Sequence, residues 1–459
     1  MSATQPIASP QMLQESAQQA LAYAKAQGAD AAEISLGITQ EQNVSVRLEE
    51  VETLEFARDQ GISIQVYFGQ RQGSASCSDL ALDSIKTSVD AACHIARYTE
   101  EDPDLGLADA HLMATDFVDL QLDHPWDLSA DQAIEYAKRC EAAGRQHAGI
   151  NNSEGASCST RRSQVLYANS HGFFDLEASS LHSLSCSLIA GSGSQMKRDY
   201  WYDLKRAATD LASPESIGQQ AAERTLARLG AHARIPTGRY PVLFDPSMAA
   251  SLLSSLVSAI SGRNLYRESS FLLDRLGETL FPEFVRIDER PKLQGGLRSA
   301  NADSEGVATR NNIFIDQGQL VSYVLSSYSA RRLNRMGKRN LQGEIFATTA
   351  NADGLHNLHI SDTGQSTQTL ISSIQEGLWV TSLMGSGVNL VTGDYSRGAA
   401  GFWIKNGQIA YPVEGLTLAG NLTDMFQQVQ AIGAETDPRS SIHTGAWLIE
   451  GMTVAGQTN

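Results

Sequence analysis

The chain has 459 residues, of which 42% are hydrophobic and 19% charged, so it can form two folded domains, and collagen-like or wholly disordered classes are excluded. Its 52 acidic and 35 basic residues give a formal net charge of −17, which disfavours a general nucleic-acid-binding role because such a surface repels polyanions. The most apolar stretch, residues 248–260, is interrupted by serines and falls short of the about 20 apolar residues that span a bilayer. We therefore expect neither a nucleic acid nor a membrane as a partner.

The start of the chain and its cysteines predict the compartment. Residues 1–13 contain neither the basic region nor the apolar core of a signal peptide. The five cysteines are an odd number without C-x-x-C spacing, and none follows Cys186. We therefore expect a cytoplasmic protein.

The first third of the chain predicts two helices around a meander of strands. Apolar residues from Leu13 to Ala24 recur at helical spacing, and Gly28 stands where a helix would end. A period of two then predicts strands in AEISLGI (32–38), NVSVRL (43–48) and GISIQVYFG (61–69). Helical spacing returns from Leu82 to Ala96 and places Cys93 on the buried face.

Two further helices are predicted before a linker. Ser129 and Gln132 form a capping box in front of a third helix, and Pro214 opens a fourth. Between them, residues 163–191 alternate as strands around an NSHG turn at 169–172, with Cys186 facing the core. The segment GAHARIPTGRYP (230–241) lacks periodicity and predicts a domain boundary.

The second half is predicted to be mostly β-structure. YPVLF (240–244) predicts a strand, and Asp245 and Pro246 begin a helix with an apolar face and a stripe of serines. Asn406-Gly407 is the strongest two-residue hairpin signal. The expected fold is α+β with two domains, a mixed N-terminal domain over 1–235 and a β-rich C-terminal domain with a few helices over 236–459.

Short motifs for metal or nucleotide binding are weak in this chain. His356 and His359 could approach each other on a helix, but the flanking turn and strand signals favour a β-hairpin without metal. The glycine pairs at 191–193 and 385–387 do not complete a nucleotide-binding motif. Glycines that punctuate strands instead permit a close approach by another strand, including a bound peptide.

A serine acyl-transfer site is a separate alternative. Ser194 and Lys197 match S-x-x-K, Ser299 and Asn301 match S-x-N, and His443 precedes Thr-Gly in the order of the penicillin-recognising enzymes. However, Ser194 follows a predicted strand rather than opening a helix. The alternative therefore ranks low.

Three long segments resemble the TldD/PmbA family, and in particular its PmbA branch, also called TldE. They are YANSHGFF (167–174), RNNIFIDQGQLVSYVLSSYSARRL (310–333) and GSGVNLVTGDYSRGAAGFWIKNGQIAYPVEGLTLAGNL (385–422). The likeness extends from the first helix to MTVAG near the end of the chain. The resemblance implies a cytoplasmic metalloprotease in which a TldD chain and a PmbA chain enclose a chamber for extended or unfolded peptides.

In that family the metal is implied to lie in the TldD chain, on a helix with His-Glu-x-x-x-His and with a later cysteine as a further ligand. Laid on this pattern, the present chain has Ser254 and Ala259 at the two histidine positions and Ser255 at the glutamate position. Hydroxyls are poor ligands for a zinc-like cation, and no carboxylate is left at this place to activate water. We therefore expect no catalytic residue, metal or other cofactor in this chain, and zinc or a similar divalent metal in its partner.

The resulting hypothesis is a non-catalytic subunit that completes the proteolytic chamber as a heterodimer or higher assembly with a TldD-type paralogue. A homodimer of the chain alone stays open. Residues 385–393 are expected to form a strand edge that captures an extended peptide by strand addition. The residues expected there to face the peptide or the partner are Gly385, Ser386, Gly387, Val388 and Asn389. The alternatives are a scaffold or regulatory binder without a protease role and the acyl-transfer enzyme on Ser194 and Lys197.

Overall fold

A computed structural model describes residues 6–456, except for the side chain of Ser194. The chain divides into an N-terminal unit, Met1–Leu226 with Asn301–Thr309, and a C-terminal unit, Ala227–Ala300 with Arg310–Asn459. Both units contain helices and sheets, so the expected α+β class is confirmed. The structure divides the chain after Leu226, whereas the sequence predicted a boundary between residues 235 and 236. The sequence also did not predict that Asn301–Thr309 belongs to the N-terminal unit.

The N-terminal unit is a six-stranded antiparallel sheet with helices on one face. Its strand order is β3-β2-β1-β4-β5-β6. The strands are β1 (Ala31–Arg47), β2 (Glu50–Phe68), β3 (Arg71–Cys77), β4 (Ile150–Asn169), β5 (Phe174–Ala190) and β6 (Lys197–Lys205). The helices are α1 (Pro10–Ala26), α2 (Leu82–Tyr98), α3 (Ala130–Arg145) and α4 (Pro214–Ala227).

The strands of this sheet are longer than the sequence pattern predicts. β1 is a single strand of 17 residues, whereas the periodicity predicted two strands with a polar turn between them. The polar residues between those segments continue the strand because both neighbours supply partners: Gln40 lies opposite Arg58 on β2 and opposite Arg162 on β4. Paired backbone on both sides therefore overrides a weak local pattern.

Two pairs of helices cover the two ends of the same sheet face. α1 and α2 cover Ile34, Leu36 and Ile38 of β1, and α3 and α4 cover Val44 and Val46. These β1 residues all lie at even positions, so their side chains point to one face. Polar residues in the middle of the strands form the part of this face that lies between the two helix pairs.

The predicted helix ends and buried cysteines agree with the structure. Ser129 and Gln132 make both bonds of the capping box at the start of α3. Pro214 begins α4, and the predicted NSHG turn joins β4 to β5. Cys93 and Cys186 are buried as predicted.

The C-terminal unit contains two sheets and five short or medium helices among the residues described. The strands are β7 (Gly238–Phe244), β8 (Ile287–Glu289), β9 (Asn312–Asp316), β10 (Gln319–Leu320), β11 (Leu358–Ile360), β12 (Glu376–Met384), β13 (Asp394–Lys405), β14 (Gln408–Asn421), β15 (Val429–Ile432), β16 (Ile442–His443) and β17 (Trp447–Ala455). The helices are α5 (Pro246–Ile260), α6 (Gly262–Tyr266), α7 (Ser327–Arg335), α8 (Thr367–Ser373) and α9 (Leu422–Gln427).

The larger sheet of this unit closes on itself. Its strand order is β14-β13-β12-β7-β17-β15, and a further pairing joins β14 to β17. This pairing covers the edge that β14 would otherwise expose. Asn406 and Gly407 form the predicted tight turn between β13 and β14, with φ values of 50° and 72°. The smaller sheet has the order β10-β9-β8-β11-β16.

Helix α5, which carries the candidate site, follows β7 and packs against the closed sheet. Asp245 caps the helix through Ser247 N–H, and Pro246 occupies the first turn, as the sequence predicts. Leu252, Leu256 and Ile260 are fully buried in the core of the unit. No helix in the described part of the chain combines the length and apolarity needed to cross a membrane.

Candidate functional site

The serine stripe of α5 faces away from the core, and its hydroxyl groups bond to the helix itself. Ser254, Ser255 and Ser258 donate to the carbonyl oxygens four residues earlier, at 3.0, 3.0 and 2.9 Å. Ser251 donates to the carbonyl of Met248 at 2.6 Å. Such bonds satisfy hydroxyl protons within the helix, and the stripe presents oxygen lone pairs of neutral groups.

The three positions equivalent to a metal-binding motif do not fit a zinc-like ion. Ser254 is exposed, Ser255 is half-buried, and the methyl group of Ala259 is fully buried in the core. A neutral hydroxyl that donates to the backbone, another hydroxyl and a methyl group offer no imidazole, thiolate or carboxylate donor. We therefore derive no catalytic step through a metal on this helix.

Next to α5, strand β12 extends beyond its parallel neighbour β7. The pairing with β7 ends at Val380 opposite Phe244, where the chain turns into α5. Residues 381–384 continue along β13, and on the opposite side no strand of the described chain accompanies them. α5 packs against β12, and Arg397 of β13 donates to Ser251 of α5 at 3.4 Å. The end of β12 is therefore a short strand edge beside the serine helix.

The segment expected to provide the peptide edge folds as a loop. Val388 forms one isolated bridge with Tyr395 and donates its N–H to Ser386 at 2.8 Å. The carbonyl of Gly387 accepts from the N–H of Ser396 at 2.7 Å. Gly385 has a φ of 78°, so the chain leaves the strand conformation there. The expectation of a strand edge over residues 385–393 is thus corrected to a loop that follows the edge at 381–384.

The surface of this loop nevertheless remains accessible. Gly385, Ser386, Gly387 and Asn389 are exposed, and Val388 is half-buried. Met384, the last residue of β12, has half of its surface exposed. The role of this loop in contact with a peptide or partner stays a prediction.

The two candidate histidines, His356 and His359, contact other side chains of the protein. His356 donates its backbone N–H to the buried carboxylate of Glu289. His359 lies in β11, which pairs with antiparallel β8 on one side and with parallel β16 on the other. Because both of these strands are far from β11 in sequence, the predicted β-hairpin is wrong. Burial and the charge of Arg290 lower the pKa of His359. No group of three or more His, Cys, Asp or Glu in the described residues could hold a metal ion.

Only part of the predicted serine acyl-transfer site lies among the described side chains. The side chain of Ser194 lies outside the described residues, while Lys197 is a buried residue at the start of β6. Ser299 donates its hydroxyl to the carbonyl of Leu293 at 2.6 Å. His443 lies in β16, and burial lowers its pKa. The role of Ser194 and Lys197 stays a prediction.

The cysteines lie in or beside the hydrophobic core. Cys93, Cys140, Cys158 and Cys186 are buried, and Cys77 is partly buried. Burial raises the pKa of Cys158 to about 12 and also raises that of Cys93. A thiol with a raised pKa is a poor nucleophile and a poor metal ligand at neutral pH. These cysteines therefore belong to the core.

A polar network that the sequence analysis missed supports α7 and the loop after residue 349. Asp353 accepts hydrogen bonds from the hydroxyls of Ser326 and Ser329 at 2.8 and 2.6 Å, and Ser326 caps α7. Asp353 has a φ of 60°, in the left-handed region. Only the Asp-Gly pair at 353–354 could have signalled this turn, and its distant partners have no signal in the sequence.

Comparison with known proteins places these features in a family. Models of the PmbA/TldA metallopeptidase family match residues 32–96 (domain 1), 123–229 (central domain) and 237–456 (C-terminal domain). The chain is 42% identical to Metalloprotease PmbA of Escherichia coli O157:H7 over 97% of this chain and 96% of that protein. It is 41% identical to a PmbA homolog of Haemophilus influenzae over 93% of this chain and 92% of that protein.

More distant relatives and solved structures agree with this similarity. A TldD homolog of Haemophilus influenzae is 22% identical over 83% of this chain and 81% of its own length. A crystal structure from Bacteroides thetaiotaomicron, named as a proposed modulator of DNA gyrase, matches with a TM-score of 0.89 and 28% identity over 97% and 99% of the two chains. TldE of Thermococcus kodakarensis shares the fold, with a TM-score of 0.81 and 21% identity over 96% and 100%.

Proposed function

Because this chain belongs to the PmbA/TldD family of metallopeptidases, we propose that it is the non-catalytic subunit of a cytoplasmic two-chain peptidase whose metal-bearing subunit is a TldD-type paralogue. The proposal requires a second chain, and Haemophilus influenzae offers a parallel, since it has both a PmbA homolog and a TldD homolog. The assembled enzyme would hydrolyse extended or unfolded peptides.

The observation that carries this proposal is the chemistry of α5. Its exposed stripe consists of serines whose hydroxyls donate to their own helix, and Ala259 is buried in the core. A metallopeptidase needs ligands that hold the metal and a base that accepts a proton from water. α5 offers neither, which supports a division of labour between two chains.

The contribution of this chain would be to bind and orient the peptide. The edge at residues 381–384 offers main-chain N–H and C=O groups to an extended peptide, which would add as a strand beside α5. Main-chain hydrogen bonds do not depend on side chains, so this mode suits unfolded peptides of varied sequence. The metal of the partner would supply an activated water for attack on the peptide carbonyl.

The test uses the full chain alone and mixed with a TldD-type paralogue. We expect the chain alone to contain no stoichiometric transition metal and to have no peptidase activity. After mixing, we expect both chains to elute together and an unfolded peptide to be cleaved in a chelator-sensitive manner. About one zinc per isolated chain, removable together with peptidase activity, would contradict the proposal.

The same experiment separates the alternatives. Co-elution without any gain of peptidase activity would indicate a scaffold or regulatory binder. Activity of the isolated chain that resists chelators and is blocked by a fluorophosphonate would indicate serine acyl transfer.

A further inference from the structure

The N-terminal unit contains a cavity of its own. It has a volume of about 410 Å³, within the size range of small-molecule sites. Its floor is the polar middle of the sheet, between the helix pair α1 and α2 and the helix pair α3 and α4. Residues before α1, including Pro6 and Ile7, and the segment before α3, from Pro125 to Leu128, form its walls.

Two rows of cross-strand neighbours form the floor. One row is Arg58, Gln40, Arg162 and Ser180 on β2, β1, β4 and β5. The next row is Phe56, Gln42, Thr160 and His182 on the same strands. Because these residues are directly opposite one another, their side chains point to the same face. The cavity therefore results from long strands whose centre has no helix above it.

One floor residue is a buried polar group without a partner. Gln42 is 7% exposed, and its Nε2 atom is buried without a hydrogen-bond acceptor among the described residues. Buried amide groups in folded proteins are normally bonded to protein or water. Gln42 is a lining residue of the cavity, so a rotation of its side chain that turns the amide toward the cavity would let an acceptor oxygen of a bound molecule satisfy Nε2.

Most neighbours of Gln42 already have partners. Thr160 lies 2.8 Å from Nδ1 of His182, and Nε2 of His182 lies 2.9 Å from the carbonyl oxygen of His124. Arg162 makes a two-atom contact with Asp123. These side chains therefore form a fixed floor.

Arg58 supplies the second donor. In the described structure, its guanidinium group makes one hydrogen bond, from Nη2 to the carbonyl of Ile7 at 3.4 Å, and the residue is exposed. Arg58 lies diagonally across the strands from Gln42, within reach of one small ligand. A guanidinium and an amide N–H that both reach one ligand favour a carboxylate.

The remaining lining defines the rest of the ligand. Phe56 and Trp126 supply aromatic surface, and Ile7 and Leu128 supply aliphatic surface. Glu41 and Asp127 are exposed lining residues, and their charge disfavours a ligand with two negative charges. We propose that this cavity binds a small monocarboxylate with an aromatic or branched apolar group, the chemical class of a hydrophobic amino acid.

The experiment titrates the full-length chain with N-acetyl-L-phenylalanine and with free L-phenylalanine by calorimetry. We expect saturable binding of both at one site per chain, and no saturable binding of phenethylamine, which lacks the carboxylate. Free phenylalanine should bind more tightly if Asp127 contacts its ammonium group. Absence of saturable carboxylate binding, or equal binding of phenethylamine, would overturn the proposal.

Variants locate the site. Gln42→Met removes the amide at nearly constant volume, and Arg58→Gln removes the charge; each should weaken binding about tenfold, the effect of one hydrogen bond to a charged group. Arg161→Gln is the matched control because Arg161 is exposed, neighbours Arg162 and points to the opposite face. Equal weakening in the control would overturn the assignment. If Gln42→Met does not fold, the exposed Arg58 still provides the test.

The chain's own beginning is an alternative occupant, since Pro6 and Ile7 line the cavity. A variant lacking residues 2–5 tests this. If the carboxylates bind only to that shortened variant, the cavity serves its own chain and the proposal is overturned. Similar binding by both forms supports a free ligand.

Discussion

The Nδ1 atom of His356 lies 3.0 Å from Oε1 of Glu289, a carboxylate that is fully buried. The same oxygen accepts the backbone N–H of His356 at 2.7 Å. The other oxygen accepts from the side-chain amides of Asn312 and Asn351, at 2.7 and 3.2 Å. A buried carboxylate is tolerated when its oxygens are bonded in this way. This carboxylate therefore holds together strands and a loop that are distant in sequence.

We predict that Glu289→Ala is strongly destabilising. The substitution leaves the donors of Asn351 and His356 without this acceptor and removes one of the acceptors of Asn312, so we expect a loss of about 3 kcal/mol in the free energy of unfolding. Chemical denaturation followed by circular dichroism measures the effect. Glu283→Ala, at an exposed position of the same unit, should change this free energy by less than about 0.5 kcal/mol. Similar losses in both variants would contradict the structural role of Glu289.

A second prediction concerns the contact between α3 and α4. A Cβ atom on Gly218 would lie 2.0 Å from the carbonyl oxygen of Cys140 and 2.9 Å from the backbone nitrogen of Gly144. Alanine would improve helix propensity by about 1 kcal/mol, but the backbone contact cannot accommodate its methyl group. We expect Gly218→Ala to reduce the free energy of unfolding by about 2 kcal/mol.

The neighbouring Gln219→Ala is the control for this glycine. Gln219 is exposed, so its substitution should leave the unfolding midpoint nearly unchanged. A stabilised Gly218→Ala variant would mean that propensity outweighs packing and that the two helices do not approach this closely.

Local signals predicted the elements, and remote contacts determined what the sequence could not show. The capping box at Ser129 and the turn at Asn406 depend on residues that are neighbours in sequence, so both could be predicted. The close approach at Gly218 needs a second helix, and the network at Glu289 needs three separate segments. A single sequence contains no signal for such pairings.

The candidate sites show the same contrast. The family resemblance pointed to α5 and its serines, and the role of these residues stays a prediction. The edge was placed at residues 385–393, whereas the unpaired edge lies at 381–384, because only the end of β7 at Phe244 defines it. The cavity beneath Trp126 was missed, since it depends on the spacing of two helix pairs over one sheet.

A third prediction is that His182 makes stability depend on pH. Burial lowers the pKa of His182, and the charge of the His124 side chain lowers it further. The hydrogen bond to the backbone carbonyl of His124 and the charge of Asp123 raise this pKa, but burial is the largest effect. A carbonyl oxygen only accepts, so Nε2 carries the proton of a neutral ring and Nδ1 accepts from Thr160. The folded state therefore favours the neutral form.

The sign follows from linkage. The unfolded chain binds a proton near the ordinary pKa of about 6.5, and the folded chain does so only at lower pH. The contribution of His182 to the free energy of unfolding is complete above the ordinary pKa of about 6.5 and is lost as the pH falls below this value. Between about pH 7.5 and about pH 5.5, the urea midpoint should fall more in the wild type than in His182→Gln. His94→Gln, at an exposed histidine, should behave as the wild type does; an unchanged pH dependence in His182→Gln would refute the assignment.

The last prediction tests peptide binding at the end of β12 in the assembled complex. Met384 terminates the edge at 381–384 and is 51% exposed, so a photo-crosslinking residue placed there should reach a peptide added as a strand. Met196, in the N-terminal unit, is 56% exposed and serves as a control of equal accessibility. We expect a labelled unfolded peptide to crosslink at Met384 at least about tenfold more than at Met196, and an unlabelled peptide to compete. Equal labelling at the two positions would indicate non-specific contact, and crosslinking of the partner chain at Met384 in place of the peptide would show that this edge is an interface between subunits.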